Sequence, residues 1–396
     1  MTAAKPVPFT IDIPQGKLDA IMAKVRAYEW HEMPEIAPGA DRWAYGTDME
    51  YMQALCAYWT GTFDWRAAER KLNSFPQFHA DVDGHTVHFI HMRASNPKAE
   101  TLLLTHGWPG SVFEFYDVIE MFLHPEKFGG KAEDAVNLVV PSLPGYGFSG
   151  KLKKPIGPRG TAALWDKLMR EVLGYDTYIA QGGDWGAVVS GWLAYDRPVT
   201  KDGGCKAVHL NMYGVRPAVL PETEEEQKWA AAAAMTFELE SAYLRLQMTK
   251  PQTLSYGMMD SPVGAAAWIV EKFNTWSDRR GPDGREHIEN AFTKDQLLTN
   301  IMIYLVSGTF NTATWFYRGL FEEGGNTMAP GTKVEIPTGI ANYPKEFIAF
   351  PPRSMVEKGY NILRWTDFEH GGHFAALETG KVFADDVLGF VKQIKG

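Results

Sequence analysis

Short apolar, β-rich runs separated by helical stretches constrain this chain more than any other feature. They stand at Val87–Met92, Thr101–Thr105, Asn137–Pro141, Tyr178–Gln181 and Lys206–Leu210, with helical segments such as Leu164–Val172 between them. Strands that alternate with helices predict an α/β unit with a mostly parallel central sheet, because a parallel pair needs a long crossover. The alternation stops near residue 220. From Trp229–Met248 through Asp295–Leu320 the pattern is almost wholly helical. Two more strand candidates, Lys333–Pro337 and Asn361–Trp365, and an amphipathic helix over Val382–Ile394 then close the chain. A helical insert placed before the last two strands predicts a cap over an α/β core. Upstream, Leu18, Ile21, Met22 and Val25, and again Met52, Leu55, Cys56 and Trp59, recur at helical spacing, with a Pro/Gly-containing loop at Met33–Trp43. The expected division is therefore a helical N-terminal extension over 1–84, a core over 85–219 and 325–396, and a cap over 220–324.

Composition narrows the function. A formal net charge of −9 over 396 residues argues against a nucleic-acid binder, which needs clustered Lys and Arg. Only two cysteines, Cys56 and Cys205, are present, too few for a disulfide framework, which favours a reducing compartment. No apolar run approaches the ~18 residues of a membrane span, and Met1 to Pro8 carries no signal-peptide core. A soluble, cytoplasmic protein is expected, and the helical N-terminal segment is compatible with a homodimer. Thirteen Trp, 16 Tyr and 22 Phe suit a large aromatic-walled pocket.

Three motifs resemble sites that their context excludes. Gly145-Tyr-Gly147-Phe-Ser-Gly150 has dinucleotide-loop spacing, but the Lys-Leu-Lys-Lys-Pro-Ile-Gly-Pro that follows cannot promptly open the helix a pyrophosphate needs. His85, His88 and His91 lie three apart on a strand, so neighbours in the series point to opposite faces and cannot share an ion. His31-Glu-Met-Pro-Glu lacks a second histidine, and its proline breaks the required helix. Neither metal nor cofactor is expected.

The chemistry concentrates elsewhere. Gln181-Gly-Gly-Asp184-Trp-Gly-Ala187 joins a strand to a helical run, and small residues flank one reactive side chain. A strained strand-to-helix turn that exposes a nucleophile needs such neighbours. Here the nucleophile is aspartate instead of serine. A carboxylate is ionised at neutral pH, needs no base to activate it, and can displace at saturated carbon to leave an ester. The turn after Leu102-Leu-Leu-Thr, His106-Gly-Trp-Pro-Gly110, is the early-strand loop that supplies an oxyanion donor, so the backbone N–H groups of Trp108 and Trp185 are the expected pair. Near the C-terminus, Glu369-His-Gly-Gly-His373-Phe places a histidine on a glycine loop between the last strand and last helix. His370 competes locally, but His373 adjoins the helix start.

Together these segments resemble the α/β-hydrolase-fold epoxide hydrolases of the microsomal and juvenile-hormone type, which include soluble fungal members. The matching stretches are Phe63-Asp-Trp-Arg with Leu72-Asn-Ser-Phe-Pro, His106-Gly-Trp-Pro-Gly, Pro141-Ser-Leu-Pro-Gly-Tyr, Gln181-Gly-Gly-Asp-Trp-Gly, Lys206-Ala-Val-His-Leu-Asn, Asp260-Ser-Pro-Val-Gly and Gly371-Gly-His-Phe-Ala-Ala-Leu-Glu. They run from about residue 60 to 380, and their specificity lies in their joint order. The resemblance implies an acid at Glu346, in Pro344-Lys-Glu346, with Asp367 and Glu369 as competitors. It also implies two cap tyrosines that hold the epoxide oxygen: Tyr243, in Ser241-Ala-Tyr243, and Tyr317, in Phe316-Tyr317, with Tyr304 the alternative to the second. The membrane-bound mammalian relatives carry an N-terminal anchor, and no such segment is expected here.

The expected activity is hydrolysis of hydrophobic or aromatic epoxides to vicinal diols through a covalent Asp184 ester, with epoxide and water as the only partners and a role in detoxification and aromatic hydrocarbon catabolism. Two alternatives stand beside it. A haloalkane dehalogenase shares the aspartate nucleophile, but halide leaves without protonation, so it would give the tyrosines no task. A catalytically silent binding protein of the same fold would be expected to have lost the nucleophile, the histidine or the acid, and all three positions are filled.

Overall fold

The computed structural model describes residues 5–395; residues 1–4 and Gly396, the outer ends of the expected first and last segments, lie outside them. One sheet of nine strands organises the molecule: β1 (Val7–Phe9), β2 (Gln77–Val82), β3 (His85–Met92), β4 (Thr101–Thr105), β5 (Asn137–Pro141), β6 (Thr177–Gly182), β7 (Gly204–Leu210), β8 (Val334–Asn342) and β9 (Tyr360–Asp367). Their spatial order is β1-β2-β3-β5-β4-β6-β7-β8-β9. The first three strands and the β3–β5 pair are antiparallel, and from β5 through β9 every pair is parallel. This is an α/β-hydrolase sheet. The central strands are apolar throughout because both of their faces are covered: all five residues of β4 are buried.

The helices are α1 (Gln15–Arg26), α2 (Met49–Gly61), α3 (Trp65–Leu72), α4 (Ile119–Leu123), α5 (Pro158–Lys167), α6 (Asp184–Asp196), α7 (Glu224–Glu240), α8 (Ala242–Thr249), α9 (Pro251–Asp260), α10 (Pro262–Thr275), α11 (Lys294–Ser307), α12 (Phe310–Glu322), α13 (Arg353–Glu357), α14 (Ala375–Glu378) and α15 (Gly380–Lys395). Helices α7–α12 form the insert between β7 and β8. The insert is more segmented than its sequence pattern suggests. Ser241 separates α7 from α8, and Gly308, in the left-handed region at φ 66°, ends α11 before α12 starts.

The N-terminal segment supplies more than helices, since β1 and β2 belong to it and extend the sheet. Strand β2 has no continuous apolar run, since Phe78, Ala80 and Val82 alternate with His79 and Asp81. It closes a two-residue hairpin on β3, with Val82 opposite His85 and both turn residues at positive φ (Asp83 53°, Gly84 77°). Asp-Gly is the pair such a turn favours, so a local signal was present.

The chain runs from β4 outward to β5, then returns to place β6 on the other side of β4. Such a reversal opens a crevice beyond the carboxyl ends of the two inner strands, the usual ligand position in open α/β sheets. The loops after β4 and β6 carry Trp108 and Asp184.

Candidate active site

Asp184 is the first residue of α6 and has φ 47°. Side chains rarely adopt this conformation, which stores on the order of 1–3 kcal/mol of strain. Its neighbours are glycines for reasons of space. A Cβ on Gly182 would overlap the backbone of Gly186, one on Gly186 the carbonyl of Thr105, and one on Gly107 the Asp184 side chain itself. The turn is therefore pressed between β4 and β6, and the carboxylate stands at the crevice.

The Trp108 N–H donates to Asp184 Oδ1 at 2.6 Å. Trp185 follows Asp184 in the first turn of α6. His373 Nε2 lies 3.4 Å from Asp184 Oδ2, and its Nδ1 lies 2.8 and 3.0 Å from the two oxygens of Glu346. His373 and Glu346 are both buried. Burial alone would lower the imidazole pKa, but the Glu346 and Asp184 carboxylates outweigh it and hold the group well above its ordinary value. Strand β8 delivers Glu346 and β9 delivers His373, so residues far apart in sequence meet at one edge of the sheet.

The competing residues are placed elsewhere. Asp367 is exposed and accepts hydrogen bonds from Asn342 Nδ2 (2.8 Å) and Trp365 Nε1 (3.0 Å). Glu369 and His370 are exposed, and His370 lies 3.7 Å from Asp278. The Tyr304 hydroxyl is taken up by a 2.6 Å hydrogen bond to the Gly110 carbonyl.

Tyr243 on α8 and Tyr317 on α12 are buried in the aromatic roof over this crevice. The Tyr243 ring stacks on Trp108 at 5.0 Å, and the Tyr317 ring meets Trp185 edge-on at 4.6 Å. The two tyrosine rings are 5.9 Å apart, and the Tyr317 hydroxyl is buried without a hydrogen-bond partner among the described residues. Burial holds both hydroxyls well above the ordinary tyrosine value, with the Asp184 charge adding to it. Both are therefore proton donors at neutral pH.

Sequence reasoning overlooked several residues that shape the site. Trp276, just beyond α10, accepts the His373 N–H on its carbonyl at 2.9 Å and packs its ring 4.9 Å from the imidazole. Glu378 fastens the same loop, accepting from Phe374 N (2.8 Å) and Asp278 N (2.7 Å). Glu114 lies near both Asp184 and His373. None carries a spacing signal, because each owes its position to another element. The rejected motifs are engaged in other contacts. His88 bonds Ser142 and Gln77, His91 bonds Tyr175, and Gly145–Gly150 is a loop followed by a helix only at Pro158.

Sheet, crevice and helical insert together define an α/β-hydrolase. Residues 6–115 match the family described as epoxide hydrolase N terminus. Epoxide hydrolase 1 of Sus scrofa is 34% identical over 376 residues, covering 88% of this chain and 81% of that protein. The structure of the Aspergillus niger epoxide hydrolase superposes with a TM-score of 0.83 at 31% identity, covering 99% of this chain and 98% of that one. The juvenile hormone epoxide hydrolase of Bombyx mori gives 0.82 at 28% identity, covering 99% and 94%. The chain belongs to the epoxide hydrolases of the microsomal and juvenile-hormone type, and it hydrolyses epoxides with water. Among the described residues no helix is long and apolar enough to cross a membrane.

Proposed function

We propose that the reaction proceeds in two covalent steps on hydrophobic and aromatic epoxides. Asp184 attacks one ring carbon, the C–O bond opens, and Tyr243 and Tyr317 hydrogen-bond the departing oxygen, one of them giving it a proton. Ester formation removes the Asp184 charge. One of the two carboxylates that raise the His373 pKa is then lost, so the imidazole can act as a neutral base. His373, oriented by Glu346, takes a proton from water as the water oxygen attacks the Asp184 carboxyl carbon. The Trp108 and Trp185 amides hold the oxyanion. Collapse of the tetrahedral species breaks the bond to substrate and frees the diol.

The observation that carries this reading is the placement of His373, 2.8 Å from Glu346 and 3.4 Å from Asp184, with the Trp108 N–H already on the Asp184 carboxylate at 2.6 Å. Walls of Trp108, Trp185, Trp276 and Tyr243 support an aromatic or apolar substrate class. In this reading α7–α12, within residues 220–324, act as the cap over a core of 85–219 and 325–396, with 1–84 as the N-terminal extension. A cytoplasmic role in detoxification or aromatic hydrocarbon breakdown fits two free, buried cysteines. Exposed Val7, Trp30 and Tyr45 on the N-terminal segment suit a homodimer.

A single turnover in oxygen-18 water tests the chemistry. The label is expected in Asp184, because water attacks the carboxyl carbon. Label appearing directly in the diol would mean that water opens the ring and that no ester forms.

A further inference from the structure

A small cavity touches Asp184 without touching either cap tyrosine. Its volume is about 10 Å³, and its walls include Gly107, Glu114, Asp184, Asn211 and His373. That is on the order of the space one water needs, and a buried water needs two to four polar partners. Four of these walls are polar side chains. His373 Nε2 is buried and has no partner in hydrogen-bond geometry among the described residues.

The two-step scheme leaves Glu114 and Asn211 of this group without a task, and the Asn211 amide oxygen already accepts from Gln181 Nε2 at 2.8 Å. Glu114 sits on the 3-10 turn Val112–Phe115, and it is deep in the protein yet only half-buried by surface, as expected of a side chain on a cavity wall. A Cβ on Gly110 would overlap Glu114 Oε1, so the glycine at 110 clears the space that the carboxyl occupies. Burial pushes this carboxyl up to about 8, the Asp184 charge adding to the rise and His373 opposing it. At neutral pH it is an uncharged acid, with one O–H to donate and a carbonyl oxygen to accept.

We infer that Glu114 is a positioning residue whose carboxyl holds the hydrolytic water in this cavity, between His373 and the Asp184 carboxyl carbon. The inference rests on the covalent mechanism proposed above. In the second step one water proton passes to His373 Nε2 while the water oxygen bonds to Asp184 Cγ, and the other O–H donates to the Glu114 carbonyl oxygen. Collapse breaks the Cγ–O bond to substrate, and the remaining water proton goes to the leaving alkoxide to complete the diol. The His373 proton returns to the phenolate left by ring opening, and Glu114 keeps its own proton throughout. An uncharged acid suits this place, since a second carboxylate would oppose the oxyanion forming on Asp184.

Rapid-quench single turnovers of a generic aryl epoxide separate the rate constants of ester formation and ester hydrolysis. Glu114→Leu should slow hydrolysis ~10- to 100-fold, the cost typical of a misplaced reactant, while leaving ester formation within about threefold of wild type. Glu114→Gln, which keeps a donor and an acceptor in the same shape, should restore hydrolysis. Retained ester formation reports an intact fold. Should the leucine variant fail to fold, Glu114→Asp, with its carboxyl one methylene further from the cavity, should show the same split. Unchanged hydrolysis in both the Leu and Asp variants, or equal loss of both steps with no rescue by Gln, overturns the assignment. Absence of any ester in the wild-type enzyme overturns the covalent mechanism and the task of Glu114 with it.

Discussion

His373 faces Asp184 across 3.4 Å, from Nε2 to Oδ2, while its Nδ1 is held at 2.8 Å by Glu346. The histidine is thus fixed from behind by Glu346 and paired in front with Asp184, the proposed nucleophile. Its raised pKa depends in part on the Asp184 charge, which ester formation in the proposed mechanism would remove.

That dependence separates the two steps. His373→Gln should leave ester formation close to wild type and slow ester hydrolysis at least ~100 to 10,000-fold, the range of a lost general base. Intact-mass measurement after substrate addition should show the protein heavier by one substrate, with the adduct on the Asp184 peptide. A variant that fails to form the ester would place His373 in the first step instead.

In the proposed mechanism the tyrosines act before the histidine. Tyr243→Phe and Tyr317→Phe should each slow ester formation, by up to ~100 to 10,000-fold, and the double variant should lose more than either alone. The stacking of Tyr243 on Trp108 survives the change to Phe, so the effect reports the hydroxyl. Wild-type ester formation in the double variant, together with halide release from a haloalkane panel, would favour the dehalogenase chemistry.

Glu346 and Asp367 offer a paired control. Glu346→Gln should slow hydrolysis more than ester formation, because it weakens the support for the imidazolium formed when water is deprotonated. Asp367→Asn should change turnover by less than about twofold, since Asp367 is exposed and bonded to Asn342 and Trp365. Step-resolved kinetics of both variants checks the assignment, and damage confined to the Asp367 variant would reverse it.

Burial of Glu114 predicts a pH signature in stability. Its carboxyl rises from 4.5 to about 8 in the folded chain, where Asp184, His373 and Tyr304 are its titratable neighbours. Between those values the unfolded chain has lost this proton and the folded chain keeps it, so stability falls as pH rises. Glu114→Gln has no such proton. Its melting temperature should gain on wild type from about pH 4.5 to 8, by on the order of several °C, and then level off. Parallel melting curves across that range check this; a constant difference would mean that the carboxyl is ionised in the folded protein.

Local chemistry made much of this molecule legible. Seven strand candidates coincide with β3 to β9, and the central parallel strands among them are the plainest, because both of their faces are buried. The turn at Asp184 was readable because a strained strand-to-helix junction accepts only small neighbours, and Gly182 and Gly186 have no room for a Cβ. Strand β2 lacks a continuous apolar run, and its signals are the alternation of Phe78, Ala80 and Val82 with His79 and Asp81 and the Asp83-Gly84 turn that follows.

The layout is written in local residue patterns: an α/β core, a helical insert before the last two strands, an aspartate in a glycine-lined turn and a histidine on the last glycine loop. Those are features of neighbouring residues, and backbone geometry constrains neighbours directly. Only the tertiary structure decided between candidates with similar local surroundings. It buried Glu346 against His373 and left Asp367 exposed, and it engaged the Tyr304 hydroxyl with Gly110 while leaving that of Tyr317 without a partner among the described residues. It also brought Glu114 and Trp276 beside the catalytic candidates. Such choices depend on which strand ends and helix faces converge, and the reversal of strand order at β4 and β6 sets that convergence across distances that no local pattern records.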